Sequence, residues 1–369
     1  MSKKLMSVFG VLMLTALTFG YMHLFVHSEV YNFERLHVFL FNLCSGGTII
    51  LYYTEDVGRL TCRTFFFLFL SVIYAIAAFL GAYIPAVIVS LVLAGIVESI
   101  RIKRFSILPV GFFKKREPVY KKFHQASLLC LSIGLVISCS VILNNEYFHI
   151  ISKPKMTLDV FFLGFSFPVS LITMSVIFSL MTDHVTAFKH TLKEAGFWNV
   201  NLGVIIFFIF IVFEKLVPQV IVTCVLFFTV IMIYYLYHHL GIALQQKHFL
   251  TSGIWFLLVT AITGILYIIF EFSPAYHQEN YKWLLKLHSF VSLYGWNLCG
   301  LTIICRFYDF PVQLHSKNLI FMHWTTVLIL APIGYYYRFF AILTVLGYAG
   351  ILYFILFSSK QITPESITN

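Results

Sequence analysis

The sequence predicts an all-α integral membrane protein with about twelve transmembrane helices. Of its 369 residues, 60% are hydrophobic and only 11% are charged, and the mean hydropathy is +0.90. This leaves too little charge for the surface of a soluble domain of that size. The apolar residues occur in runs of about 18–25, the length that an α-helix needs to cross about 30 Å of hydrocarbon. No alternation with period two is present, which excludes an outer-membrane barrel.

Twelve apolar spans follow one another along the chain, and only short connections separate them. We therefore expect a single polytopic membrane domain over residues 1–369. The first span has a basic start and an apolar core, as a signal peptide does, but it lacks a small-x-small cleavage site, so we expect a retained helix. The predicted spans are 5–27, 34–53, 62–81, 83–100, 122–143, 158–181, 198–214, 217–238, 250–271, 283–305, 317–335 and 339–358.

The placement of lysine and arginine predicts the orientation. With twelve spans both termini lie on one side, which receives 18 of the 25 Lys and Arg residues, while the other side receives 7. The positive-inside rule then places both termini in the cytoplasm and the protein in the inner (cytoplasmic) membrane. Much of the net charge of +10 lies in the loop 101–122, which we expect to contact anionic lipid headgroups. A soluble partner is the alternative for this loop, and no nucleic acid is needed to explain the charge.

Sequence motifs exclude several kinds of chemistry. The seven cysteines fall within spans or on the cytoplasmic side, and no C-x-x-C occurs, which excludes an outer disulfide framework and covalent haem attachment. No phosphate-binding glycine loop, H-E-x-x-H or G-x-S-x-G is present. The sequence therefore shows no catalytic residue and leaves open whether the protein is an enzyme.

Two histidines lie inside spans near the outer face. His37 is about one turn into the second span and His288 is one to two turns into the tenth, and both spans run inward, so we expect the two imidazoles at similar depth. Each histidine follows a basic residue by two positions, Arg35 or Lys286, and small residues come later on the same helix. Because a polar side chain inside a membrane is costly, such residues indicate function.

These features predict a haem b site. Neutral imidazole is a good axial ligand for iron, and small side chains below each histidine leave a groove for a flat group. We expect His37 and His288 to clamp one haem b, with Arg35 and Lys286 paired with its propionates. Two axial imidazoles favour a low-spin iron that passes electrons.

A second pair of histidines lies near the cytoplasmic face. His124 begins the fifth span and His323 is about two turns into the eleventh, and both spans run outward. A second haem between them would complete a route for electrons across the bilayer. His315 and His184 compete for this inner role.

Another interpretation fits the same residues. Small residues are common wherever transmembrane helices pack closely, and histidines near the membrane boundary can be interfacial anchors that bind nothing. The chain would then be a transporter of a small solute or lipid, without haem. A third alternative is a subunit of a larger membrane complex, with exposed aromatic residues at the interface.

The span count and the positions of His37 in RLHVFLFNLCSGG and His288 in KLHSFVSLYGWNLCG resemble the haem–copper oxidase subunit I superfamily and its compact NnrS-type relatives. In that superfamily, histidines on helices two and ten clamp the low-spin haem, and the resemblance implies this role here. The chain departs from the family pattern elsewhere, because the His-x-His pair of helix ten is missing and spans six and seven contain no histidine. Copper and the reduction of oxygen or nitric oxide are therefore not expected.

We conclude from the sequence that the chain is a membrane haem b protein. Its expected role is electron transfer with a redox partner, haem-based sensing or haem handling. Haem-free transport is the alternative.

Overall fold

The structure is a computed structural model that describes residues 1–26, 31–151, 153, 160–182, 185–273, 276–310 and 312–358. These residues form helices joined by short connections. They contain no β-strand, and their one isolated β-bridge joins Met181 and Gly241 in antiparallel fashion. Long apolar runs favour this architecture, because a helix satisfies its own backbone hydrogen bonds where no water is available.

Twelve helical segments are present in the described part of the chain, and each overlaps one predicted span. Two short 3₁₀ turns, Met22–Leu24 and Val110–Phe113, lie between them. The segments are α1 Lys3–Gly20, α2 Phe33–Glu55, α3 Cys62–Phe79, α4 Tyr83–Arg104, α5 Val119–Phe148, α6 160–179, α7 Ala187–Val212, α8 Leu216–Leu240, α9 Gln245–Glu271, α10 278–305, α11 317–334 and α12 Arg338–Phe357.

Ten of these segments, all except α6 and α11, are long and apolar enough to cross a membrane. This confirms the prediction of an all-α, multi-pass membrane protein. The predicted spans begin or end up to 11 residues from the observed helices. The largest difference is at the start of α7, where polar residues after Ala187 precede the apolar stretch.

Helices α2 and α10 form the centre of the bundle. In their most apolar windows, 83% and 78% of the residues are buried inside the protein, whereas the corresponding values for α7 and α8 are 22% and 28%. The outer helices α7 and α8 therefore present most of their surface outward, where lipid replaces protein contacts. Helix α6 shares this central position, since 11 of the 13 residues Phe167–Ser179 are buried. Helices α2 and α10 carry His37 and His288.

Five of the helices contain π-helical residues in the part of the chain that the structure describes. In α5 they are the last five residues, Asn144–Phe148. In α2 the π-helical residues are Phe39–Gly47, and in α10 they are Val291–Asn297. The start of α6, Val160–Ser166, and the middle of α11, Thr325–Leu330, are also π-helical. Such turns are rare in proteins and often mark functional sites.

Close contact between α5 and α6 depends on two glycines. A Cβ atom at Gly134 would lie 2.3 Å from the Cα of Gly164, so neither position leaves room for a side chain. Small residues bring transmembrane helix backbones together in this way. This contact fixes α6 against the bundle.

The two ends of the bundle differ in charge. We call the end that carries the loop 101–122 the basic end, and the end at which α2 and α10 begin the opposite end. At the basic end, the buried guanidinium of Arg101 binds Glu98 and donates to the carbonyl oxygens of Ser106 and Ile107, each at 2.9 Å. This arginine ties the loop to α4.

Candidate functional site

His37 lies one turn into α2, and its ring is enclosed by neighbouring helices. Asn32 caps this helix, since its side chain accepts a hydrogen bond from the Arg35 amide at 3.0 Å. One face of the imidazole covers Gly20 of α1, where a Cβ would lie 3.6 Å from the ring. The ring also stacks on Tyr294 of α10, with 6.4 Å between centroids. Its Nδ1 atom is buried and has no hydrogen-bond partner in the described part of the chain.

His288 faces α9. Its Nδ1 lies 2.9 Å from the carbonyl oxygen of Thr260 and 3.2 Å from the Thr263 hydroxyl. The ring packs on Gly264, where a Cβ would lie 3.3 Å from Cε1. A proton on Nδ1 is donated to the Thr260 carbonyl, which leaves Nε2 as the free ring nitrogen.

The two outer histidines do not face each other. On α10, Lys286 contacts α2 through Glu34 and Phe290 contacts α1, so these two residues mark the face toward α1 and α2. His288 is two positions from each of them, which is about 200° around an α-helix. The α10 backbone therefore lies between the imidazoles of His37 and His288. The described structure does not bring the two imidazoles together, and haem binding by the chain stays a prediction.

The residues predicted to hold the propionates are also separated. Lys286 donates to Glu34 at 2.7 Å and lies over the ring of Tyr335, 4.5 Å from its centroid. The Tyr335 hydroxyl donates to the same Glu34 oxygen. Arg35 is exposed, on another face of α2, within electrostatic range of Tyr83. Lys286 thus takes part in an ion pair, and Arg35 lies near α4 instead.

The two inner histidines, His124 and His323, contact different partners. The Nε2 atom of His124 is 2.8 Å from the Thr54 hydroxyl, and its ring stacks on Tyr53. His323 is fully buried, and its Nε2 donates to the carbonyl oxygen of Tyr294 at 2.7 Å. Since a protein group already occupies Nε2 in both, these histidines have the contacts of hydrogen-bonded core residues.

Of the two competing inner candidates, His315 and His184, the described part of the chain contains only His315. His315 is exposed at the basic end, and His184 lies outside the described residues. No group of three or more His, Cys, Asp or Glu side chains that could hold a metal is found among the residues that the structure describes.

Tyr294, in the π-helical part of α10, is the centre of a buried polar cluster. Its ring packs against Phe41, with 4.9 Å between centroids, and against Tyr348 of α12 at 5.3 Å, in addition to His37. The hydroxyls of Tyr294 and Tyr348 are buried and have no hydrogen-bond partner in the part of the chain that the structure describes. We call His37, Phe41, Tyr294 and Tyr348 the Tyr294 cluster.

The π-helical turns adjoin this cluster. His37, His288 and His323 precede the π-helical residues of α2, α10 and α11 by two or three positions. The hydrogen bond from His323 reaches a carbonyl within such a turn, that of Tyr294. The histidines and the irregular backbone therefore belong to one region where α2, α10 and α11 meet.

Sequence reasoning missed Tyr294 and Tyr348. Both are hydroxyl-bearing residues within apolar spans, which is a signal, but the chain has 21 tyrosines. Nothing local distinguishes an interior tyrosine such as Tyr348 from an outward one such as Tyr353, five positions later on the same helix.

Comparisons with known proteins give no match. No family model matches the chain, and neither a curated protein nor a solved structure does. The resemblance to the haem–copper oxidase superfamily therefore stays a prediction.

Proposed function

We propose that this chain is a membrane transporter that binds a small, uncharged polar solute at the Tyr294 cluster. One observation carries the proposal: the hydroxyls of Tyr294 and Tyr348 and the Nδ1 of His37 are buried and have no hydrogen-bond partner among the residues that the structure describes. Burying such a group unpaired costs about 1–3 kcal/mol, so native proteins almost always pair it. A solute or water that hydrogen-bonds these three groups would remove the cost.

The position of the cluster suits a transport site. Its members come from α2, α10 and α12, so a bound solute would touch helices from distant parts of the sequence. Transporters commonly bind their substrates where membrane helices are interrupted. The π-helical residues of α2 and α10 depart from regular α-helical hydrogen bonding at the level of the cluster, although both helices stay continuous.

The chemistry of the cluster favours an uncharged solute. Phenol and imidazole can donate and accept hydrogen bonds but supply no fixed charge. The nearby charges of Glu34 and Lys286 neutralise each other in an ion pair of 2.7 Å. A charged solute would find no counterion among these residues, and its desolvation would not be offset.

Swelling of proteoliposomes tests the proposal. Vesicles containing the purified protein would be placed in gradients of glycerol or urea, and the swelling rate followed by stopped-flow light scattering. We expect faster swelling than in protein-free vesicles for at least one of these uncharged solutes and no acceleration for sodium glutamate. Equal rates with and without protein for both uncharged solutes would refute transport of this class.

We also propose twelve membrane crossings with both termini in the cytoplasm. Helix α11 has 18 residues and α6 has 20, lengths of about 27 and 30 Å, and both pack among longer apolar helices. The excess of Lys and Arg at the basic end supports the orientation. Alkaline phosphatase fused after residue 150 should be active, and fused after residue 110 it should be inactive. The reverse pattern would overturn the orientation.

Haem b binding is the second candidate, because of one observation at His288. Its Nδ1 is held by the Thr260 carbonyl and its Nε2 carries no hydrogen bond in the described part of the chain, as in histidines that ligate a metal. Bound haem would supply one-electron transfer. The oxidised and dithionite-reduced absorption spectra of protein from haem-replete cells test this. A reduced α-band lost in His288→Ala supports haem at His288, and a colourless protein contradicts it.

We further propose that the loop between α4 and α5, within 101–122, lies on anionic headgroups. Arg101 and Lys122, at its two ends, are buried and paired with carboxylates and take no part in this contact. Its apolar side chains Ile107, Leu108 and Phe113 are about two-thirds or more exposed, directly before the basic Lys114 and Lys115. Exposed apolar groups beside basic ones are typical of segments at a membrane surface. Binding to vesicles with and without phosphatidylglycerol, by the isolated loop peptide, would show a preference for the anionic vesicles. No preference would contradict the proposal.

A further inference from the structure

A second group of buried polar side chains lies next to the Tyr294 cluster, where α2, α6 and α10 meet. Its members are Asn42, Ser166 and Asn297, one from each helix, and each is among the π-helical residues of its helix. Asn297 is three positions after Tyr294 on α10, so these residues lie about one helical turn closer to the basic end. We call the three residues the Asn42 group.

Hydrogen bonds hold α6 and α10 together at this level. The Nδ2 atom of Asn297 donates to the hydroxyl oxygen of Ser166 at 3.2 Å, and the indole of the preceding residue, Trp296, donates to Ser170 at 2.7 Å. The first of these bonds uses the amide nitrogen of Asn297. Its Oδ1 atom therefore remains as the acceptor of this side chain.

Helix α2 packs against the same two helices. A Cβ atom at Gly46 would lie 2.6 Å from Val169 of α6 and 3.8 Å from Leu301 of α10, so Gly46 contacts the turns that follow the Asn42 group on both helices. Asn42 is four positions before Gly46, and residues at that spacing lie on one face of a helix. Asn42 is therefore on the face of α2 that is directed toward α6 and α10.

Three polar atoms of the group are buried and unpaired. Neither the Oδ1 nor the Nδ2 atom of Asn42 has a hydrogen-bond partner among the residues that the structure describes, and the same is true of Oδ1 of Asn297. Both asparagines are fully buried. Native proteins almost always pair such atoms. A ligand that pairs all three must accept one hydrogen bond and donate two.

This requirement selects the chemistry of the ligand. A sodium ion would bind the two oxygens but leave Nδ2 of Asn42 unpaired, and an ionised carboxylate would donate no hydrogen bond. A primary amide has a carbonyl oxygen and an N–H on one planar edge, which match Nδ2 and Oδ1 of Asn42, and its second N–H is left for Asn297.

We infer that the Asn42 group binds the amide group of a small uncharged solute, such as urea or acetamide. The inference names the class of solute for the proposed transport function and in that respect rests on it. The Tyr294 cluster and the Asn42 group are then two successive hydrogen-bonding sites along one path through the bundle.

The first test measures binding without transport. Saturation-transfer difference NMR on the full-length protein in detergent would follow the methyl signal of acetamide. The comparison ligand is N,N-dimethylacetamide, which keeps the carbonyl and has no N–H. Asn42→Leu removes both unpaired atoms at similar volume. Asn201→Leu is the matched control, because Asn201 is a buried asparagine on α7 whose Nδ2 donates to the Phe197 carbonyl.

We expect saturable binding of acetamide, weakened about tenfold or more in Asn42→Leu and unchanged in Asn201→Leu. Dimethylacetamide should not saturate, and this comparison on the wild type needs no variant. Because the atoms removed are unpaired, Asn42→Leu should unfold at or above the wild-type midpoint, which separates lost binding from lost folding. The inference is overturned if acetamide does not saturate, as expected if water fills the group, or if both amides bind alike.

Swelling of proteoliposomes in a urea gradient separates this inference from the proposed function. Acetamide binding that depends on Asn42, without urea-driven swelling of wild-type vesicles, would refute transport of urea and support the amide site. Urea-driven swelling and acetamide binding that both persist in Asn42→Leu would support transport and overturn the amide site.

Discussion

The imidazole of His37 stacks on the phenol ring of Tyr294, with 6.4 Å between centroids and 24° between ring planes. His288, on the same helix as Tyr294, points to α9 instead. The partner of His37 on α10 is therefore a tyrosine rather than the predicted second histidine. We therefore place the candidate site at the buried hydroxyl and imidazole groups around Tyr294, which have no hydrogen-bond partner in the described part of the chain.

Removing a hydroxyl that has no partner should not lower stability. Tyr348→Phe deletes an unpaired buried group, so we expect an unfolding midpoint in detergent equal to or above that of the wild type. Tyr74→Phe is the matched comparison, because the Tyr74 hydroxyl is hydrogen-bonded to the buried Ser138. It should lower the free energy of unfolding by about 1 kcal/mol. Equal losses in both variants would show that Tyr348 is paired in the folded protein.

The ion pair between Lys286 and Glu34 should stabilise the opposite end of the bundle. Both side chains are partly buried, so Lys286→Met should lower the free energy of unfolding by about 1–2 kcal/mol, between the values for exposed and buried pairs. Lys282→Met is the control, one turn earlier, since its pair with Glu279 is 3.5 Å long and exposed.

A double-mutant cycle separates the pair from other effects of these residues. If Glu34→Gln and Lys286→Met act through one contact, the double variant should lose less stability than the two single variants combined. Additive losses would contradict a direct interaction.

Packing between α5 and α6 should not tolerate one added methyl group. Gly134→Ala places a Cβ against the Gly164 backbone, and we expect a loss of about 1–3 kcal/mol or more in unfolding free energy. Gly95→Ala, in α4, is the control, because nothing lies within 4 Å of the Cβ there. Thermal unfolding followed by intrinsic fluorescence distinguishes the two. A tolerated Gly134→Ala would show that these helices are further apart.

The contact between Tyr308 and Asp56, outside the membrane helices, predicts a dependence on pH. The hydrogen bond to the Asp56 carboxylate, together with burial, raises the pKa of Tyr308 to about 12. An unfolded tyrosine has a pKa near about 10, so the bond contributes fully below that pH. As the pH rises above this value, Tyr308 loses its proton in the unfolded chain before it does so in the folded protein. The contribution of the hydrogen bond to stability is therefore lost as the pH approaches the pKa of Tyr308 in the folded protein.

The measurement compares unfolding midpoints of the wild type and Tyr308→Phe at pH 8 and at a pH above about 11. We expect a higher midpoint for the wild type at pH 8 and a smaller difference at the higher pH. A difference that is constant between the two would contradict the role of this hydrogen bond.

The helices could be predicted from the sequence because span length and apolar content are local properties. Each of the twelve predicted spans overlaps one helix, and the largest boundary shift, 11 residues, is at the polar start of α7. The π-helical turns could not be predicted, because they depend on contacts between helices such as that from His323 to the Tyr294 carbonyl.

The residues that meet at the candidate site could not be predicted from the sequence as well as the helices could. Depth in the membrane follows from position along a span, but the side that a residue faces depends on which neighbour packs there. Lys286 and His288, two positions apart, lie on opposite faces of a helix. The ion pair with Glu34 decides which face meets α2.

The swelling rate of proteoliposomes containing Tyr294→Phe, relative to wild type and to Tyr353→Phe, tests the central claim most directly. Tyr353, on α12, is 70% exposed, so Tyr353→Phe removes a tyrosine hydroxyl that lies outside the cluster and is the matched control. With a glycerol or urea gradient that the wild type transports, we expect Tyr294→Phe to swell as slowly as protein-free vesicles and Tyr353→Phe to match the wild type. Wild-type rates in Tyr294→Phe would contradict a solute site at the Tyr294 cluster.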